Sequence, residues 1–258
     1  MSGDWEIVDR LLAQPLTESQ AALCFLGQAG FVAHAGKVTV AIDPYLTDSV
    51  GKRSPAFARC VLPPMEPEEL RADIFIVTHD HTDHLDPETI ARYQHKDTTT
   101  FVAPRFAAAK LVELGVPEAN VIAVDVGETA EVREVKATGV FALPTGADVL
   151  DTTGYRVEFA NGRNFYHASD TAFCELLLNA APQAEVLLVP INGKWGNLDV
   201  DEAIALTEAV RPRYVIPCHY DVMALNAENP ETFRYFWNAK GLPTECVVLE
   251  AGQSFVWE

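Results

Sequence analysis

The chain is poor in several things, and each shortage removes a class of function. Its five cysteines (Cys24, Cys60, Cys174, Cys218, Cys246) are odd in number, scattered and never spaced as CxxC. That leaves neither a disulfide framework nor a thiolate metal site, and it fits a reducing, cytoplasmic setting. No run approaches the ~20 uninterrupted apolar residues a membrane helix requires. The opening "MSGDWEIVDR" lacks the basic-then-apolar pattern of a secretion leader. Bases are few, 19 against 37 acids, for a formal net charge of −18. A surface of that sign repels a phosphate backbone, so nucleic acid is not an expected partner. The one compact basic cluster is Gly51-Lys52-Arg53. Linkers, low-complexity tracts and repeat periods are also missing, and 258 residues of ordinary globular composition read as a single domain over 1–258.

What is present alternates between strands and helices. After a polar, partly helical lead-in of about twenty residues come three apolar runs, "ALCFLG", "FVAHAG" and "VTVAIDP". Gly27, Gly30 and Gly36 punctuate them as in an antiparallel meander. Residues 48–70 are rich in turn formers and read as a long loop of the kind that borders a site. "ADIFIVTH" is a near-continuous apolar run, the mark of a strand buried on both faces. "DPETIARYQH" follows with an Asp cap and Pro at the first helical position. Asn161-Gly162 marks a hairpin between two alternating strands, and buried strands then alternate with helices up to "SFVWE". The expected architecture is an α/β, four-layer αββα sandwich: two packed sheets with helices outside.

"FIVTHDHTDHLD" places three of the seven histidines within six residues, interleaved with carboxylates, where the buried strand runs out. Neutral imidazole and carboxylate suit zinc, manganese or iron. A loop leaving a strand end can aim His79 and His81 at one ion while Asp83 and His84 face a second position. Asp80, inside the motif, reads as a local hydrogen-bond partner.

This HxHxDH pattern resembles the signature of the metallo-β-lactamase superfamily of hydrolases. The likeness extends to "FLGQAGFVA" with "VTVAIDP", to "YHASD" and to "VIPCHYD". It implies the αββα fold, a metal-bridging role for Asp170 and a last histidine ligand at His219. The order "LG..G", "THDH.DH", "YH..D", "IP.H.D" resembles most the branch that contains L-ascorbate-6-phosphate lactonase. That branch implies one or two divalent ions, Mn2+ or Zn2+. Many superfamily members supply a further histidine before the bridging aspartate, whereas here none occurs between His95 and His167. One metal position is therefore expected to be short of a ligand.

The remaining candidates surround this set. Asp43 is expected to orient a ligand histidine, and His167 to line the pocket, meet substrate or support a ligand. In "PINGKWGNLD", Lys194 is a candidate for a substrate anion and Asn197 for polarising a carbonyl, with Lys52 and Arg53 as weaker anion sites. His34 and His95 read as surface or turn residues, and strand alternation turns Cys218 away from His219. A divalent ion with an open position lowers the pKa of its water from 15.7 towards ~7 and polarises an oxygen. Asp83 is the candidate to orient that water and take its proton. No serine or cysteine has the surroundings of an activated nucleophile. The leading expectation is a metal-dependent lactonase acting on a small anionic molecule such as a phosphorylated sugar acid. A phosphodiesterase is the alternative, and a metal-binding protein without catalysis would need a closed site. Self-association into a homo-oligomer is left open.

Overall fold

The computed structural model describes residues 15–258. The helical part of the expected lead-in falls outside them. Strands β1 (Ala21–Gly27), β2 (Gly30–Ala35) and β3 (Val38–Ile42) form the antiparallel meander that the glycines predict. β4 (Ile74–Ile76), β5 (Thr100–Ala103) and β6 (Val121–Ala123) then add beyond β3, all parallel. In the second sheet β7 (Thr129–Val132), β8 (Val135–Phe141), β9 (Thr153–Glu158), β10 (Asn164–His167), β11 (Val186–Pro190), β12 (Tyr214–Cys218) and β13 (Glu245–Cys246) lie side by side in chain order. Its first four strands are antiparallel and the rest parallel. The last strand, β14 (Ser254–Trp257), returns to the first sheet against β1.

Period-two patterning explains why the first sheet sits in the middle of a layered molecule. On β1 to β4, Leu23, Phe25, Phe31, Ala33, Val40, Ile42, Ile74 and Ile76 share a core with Tyr155, Val157 and Phe165 of the second sheet. Their chain neighbours Ala22, Cys24, Val32, Ala41 and Phe75 instead join a core with Ile90 and Leu111. Those two belong to helices α2 (Pro87–Arg92) and α3 (Arg105–Glu113). Both faces of these strands are thus covered, as continuous apolar runs require. α4 (Glu175–Ala180), α5 (Val200–Val210) and α6 (Pro230–Ala239) bury Leu177, Leu206, Phe233 and Trp237 in the core of the second sheet.

Three local expectations are corrected. The segment 48–70 is not all loop: it holds a five-residue helix α1 (Ser49–Arg53) and a single 3-10 turn, Pro55–Phe57. The helix capped by Asp86 stops at Arg92, short of "YQH". His34 is a buried strand residue facing Thr39 at 3.2 Å, not a surface or turn residue. His95 does lie in a turn.

Candidate metal centre

The strand ends converge on one spot. β3 leads to Asp43, β4 to His79, β10 to Asp170 and β12 to His219. The backbone there is strained. Gln28, Asp43, Ser169, Trp195, His219 and Asp221 are six of the nine non-glycine residues with positive φ among the described residues. Such conformations cost roughly 1–3 kcal/mol each and persist where surrounding structure over-determines them, as at functional sites.

Two groups of donor atoms result, each within 4.8 Å of one another: His79, His81 and Asp170, and Asp83, His84 and His219. Asp170 lies between them, its Oδ1 3.4 Å from His84 Nε2 and its Oδ2 3.2 Å from His219 Nε2. All six residues expected to hold metal are therefore together, divided as the motif spacing suggested. Their nitrogens are prepared for a cation. Asp43, fully buried, accepts from Thr78 N (2.8 Å) and Thr78 Oγ1 (2.6 Å) and takes His84 Nδ1–H at 2.8 Å. In the neutral ring that leaves the lone pair on His84 Nε2, which is buried and without a hydrogen-bond partner, as is Asp170 Oδ1. His79 Nδ1 is 3.0 Å from Thr78 Oγ1, whose proton is committed to Asp43, so His79 is the donor and its Nε2 is free. Nε2 of His79 faces Nδ1 of His81 at 2.9 Å. Imidazole nitrogens and carboxylate oxygens converging in this way, His84 Nε2 and Asp170 Oδ1 among them without a hydrogen-bond partner, fit a divalent ion.

Electrostatics agree. Burial pushes the His79 pKa down to about 3, so its ring is neutral. Burial also opposes charge on His84 and His219, but the carboxylates outweigh it. Asp170, Asp43 and Asp83 hold the pKa of His84 well above its ordinary value, and Asp170 with Asp83 lifts that of His219 to about 9. Asp83 and Asp170 move the other way: burial is overcome by the neighbouring histidines and both stay ionised.

The outer candidates divide. Asp43 orients His84 as expected. His167 does not face the cluster: Nε2–H donates to Ala29 O (2.8 Å) and Nδ1 accepts from Ser169 N (3.1 Å). With both nitrogens used it fastens the β1–β2 turn to the segment carrying Asp170, so the substrate and ligand roles are corrected. Asn197 does not line the cavity over the metal ligands; its Oδ1 accepts from Thr171 N at 3.0 Å, next to Asp170. It therefore fixes that turn, and a carbonyl-polarising role is withdrawn. Lys194 does line the cavity, with Nζ donating to Ala227 O at 2.7 Å. Lys52 pairs with Glu88 (2.5 Å) and Arg53 donates to Thr82 Oγ1 (3.3 Å), and neither lines the cavity.

Two residues escaped sequence reasoning. Gln28 is buried in the β1–β2 turn, donates Nε2–H to Asp83 Oδ2 at 2.7 Å and approaches His219 Nε2 at 3.1 Å. Its backbone carbonyl accepts from His219 N–H at 2.5 Å. The available signal was a polar side chain between two buried apolar strands. Asp148 faces His81 Nε2 at 3.4 Å from an exposed loop that carries no signal of its own.

A cavity of about 580 Å³ opens over His81, Asp83 and Asp170 and is walled by Val50, Phe57, Lys194, Trp195, Met223 and Asn226 among others. The closed site required of a non-catalytic metal protein is not what is found.

Fold and donor set define a class: metal-dependent hydrolases with the metallo-beta-lactamase fold. Residues 39–220 match the beta-lactamase superfamily domain. The chain is 30% identical over 246 residues to the UPF0173 metal-dependent hydrolase of Archaeoglobus fulgidus, covering 90% of this chain and 97% of that one. To the UPF0173 metal-dependent hydrolase of Thermococcus onnurineus it is 33% identical over 237 residues, covering 89% and 96%. The chain belongs to the UPF0173 metal-dependent hydrolase family of that superfamily. Its fold is similar to a metallo hydrolase from Ignicoccus hospitalis (TM-score 0.73, 23% identity, covering 93% and 99%). It is also similar to an isothiocyanate hydrolase from Delia radicum gut bacteria (TM-score 0.72, 17% identity, covering 91% and 98%).

Proposed function

We propose that this metal-dependent hydrolase opens a cyclic ester, as a lactonase. The observation that carries the reading is one cavity, large enough for a small molecule, that ends on His81, Asp83 and Asp170. His79, His81 and Asp170 would hold one ion and Asp83, His84 and His219 the other. A divalent ion there supplies hydroxide near neutral pH and polarises a carbonyl or phosphoryl oxygen. Asp83 is the proton acceptor: Gln28 fixes its Oδ2, leaving Oδ1 to face an attacking water. Asp43 keeps the His84 ring in one tautomer, and Asp148 aligns His81. No acyl-serine or acyl-cysteine step is proposed, since among the described residues no serine Oγ or cysteine Sγ hydrogen-bonds a histidine or carboxylate.

The lactone reading rests on the motif order shared with the ascorbate-6-phosphate lactonase branch. A phosphate on the substrate would find only Lys194 among the cations considered, and only if it releases Ala227 O. The isothiocyanate hydrolase is similar in fold alone, at 17% identity, so ring opening is proposed for this chain on its own motifs. The test is a parallel assay of sugar lactones, alkyl and aryl lactones, phosphorylated lactones and bis-p-nitrophenyl phosphate, with manganese or zinc added. Lactone opening should exceed phosphodiester cleavage in kcat/KM. Turnover of the phosphodiester alone would replace this reading with a phosphodiesterase.

A further inference from the structure

We propose that the substrate carries an apolar aryl or alkyl group, seated against Phe57 and Trp195 in the cavity that His81, Asp83 and Asp170 also line. The proposal rests on the hydrolase reading of the same site and names the part of the substrate that the metal does not touch.

Phe57 comes from the 3-10 turn after α1 and Trp195 from the loop after β11, yet their rings meet at 5.6 Å between centroids, tilted by 54°. Both line the cavity that His81, Asp83 and Asp170 line. The wall is anchored from behind, because Val50 and Phe57 pack on the small core of Tyr45, Val222 and Met223, and Met223 itself reaches the cavity.

Trp195 is 66% exposed and sits at φ +57, so a large apolar ring is held out in water on a strained backbone. Its own packing does not explain that. The loop packs closely on its neighbours: a Cβ on Gly196 (φ +88) would lie 2.4 Å from Thr145 O, and one on Gly193 (φ +59) 3.0 Å from Asp199 Cβ. Only glycines let the loop approach so closely.

Charge points the same way. The cavity is lined by the carboxylates Asp83, Asp148 and Asp170, and by Lys194 as the one lysine or arginine, itself bonded to a backbone carbonyl. With Asp83 and Asp170 assigned to the ions, Asp148 and the already bonded Lys194 are the other charged side chains of the lining, so a phosphate finds no unengaged lysine or arginine there, whereas an apolar group buried against two rings is stabilised by its removal from water.

Three carboxylates sharing one anchoring end test this on the zinc-loaded full chain by isothermal titration. They are 3-phenylpropanoate, 4-hydroxybutanoate and 3-phosphonopropanoate. The phenyl probe should bind at least about tenfold more tightly than either other, as expected for burying most of a ring. Phe57→Ala and Trp195→Ala should each shrink that preference by about threefold or more with zinc content unchanged. Trp195, the more exposed, decides the matter if Phe57→Ala does not fold. Equal or tighter binding of the hydroxy or phosphono probe overturns the proposal, and so does a preference that survives Trp195→Ala. A chain that shows this preference but opens no lactone removes the lactone reading alone. One that opens lactones without any phenyl preference removes only this proposal.

Discussion

At the scale of single residues, the ligands divide into those that bind and those that aim. Asp43→Asn should leave the fold intact yet weaken metal binding about 10- to 100-fold, since His84 loses the acceptor that sets its tautomer. Competition with a chromogenic chelator measures this. Gln28→Met removes the donor on Asp83 Oδ2 without removing volume. It should weaken the Asp83–His84–His219 site about tenfold and leave His79–His81–Asp170 loading nearly unchanged, read as the loss of one of two binding steps. Protonation supplies a third expectation. In the metal-free protein the raised pKa of His219 adds stability that is fully present below its unfolded value near 6.5 and is lost as pH climbs through about 9. The metal-free melting temperature should therefore fall across that window while metal affinity rises, because protons and ion compete for the same nitrogens. A flat affinity from pH 6.5 to 9 would contradict this. The ligands in the motif were legible because they are adjacent in sequence. Gln28 was not, lying 55 residues from Asp83 and 191 from His219, so only folding gives it meaning.

At the scale of elements, what was legible followed from burial. Strands covered on both faces cannot be anything but continuous apolar runs, and β4, β11 and β12 announced themselves that way. Helix α1 did not, because its five residues include Gly51, which has no room for a side chain: a Cβ there would lie 2.3 Å from Asp48 Oδ1. Its reason is tertiary contact, invisible to propensity. The loop carrying Trp195 is a similar case with a functional consequence. Gly196→Ala places a methyl against Thr145 O at an unfavourable φ, so the loop must move away. The expected result is a KM raised several-fold for apolar substrates, with kcat and metal content much less affected, since the ligands stand on other segments. A Gly196→Ala enzyme with wild-type KM would show that this loop does not touch substrate.

At the scale of the whole molecule, the two sheets meet at the metal centre. Asp43 and His84 belong to the first sheet and its loops, Asp170 and His219 to the second, and His167 and Gln28 tie across the gap. An ion bound at a thousand times its Kd adds about 4 kcal/mol to stability, so a chelator should lower the melting temperature by roughly 10 °C in a chain of this size. Calorimetry with and without chelator checks it. No helix among the described residues is long and apolar enough to cross a membrane. The division of the donors between sheets has one more consequence. His79, His81, Asp83 and His84 are made early on the ribosome, but each group of three waits for a residue from the later half, Asp170 or His219. An unfinished or half-docked chain therefore offers no complete cage. Metal binding at either group is thus coupled to the closing of the two halves on each other.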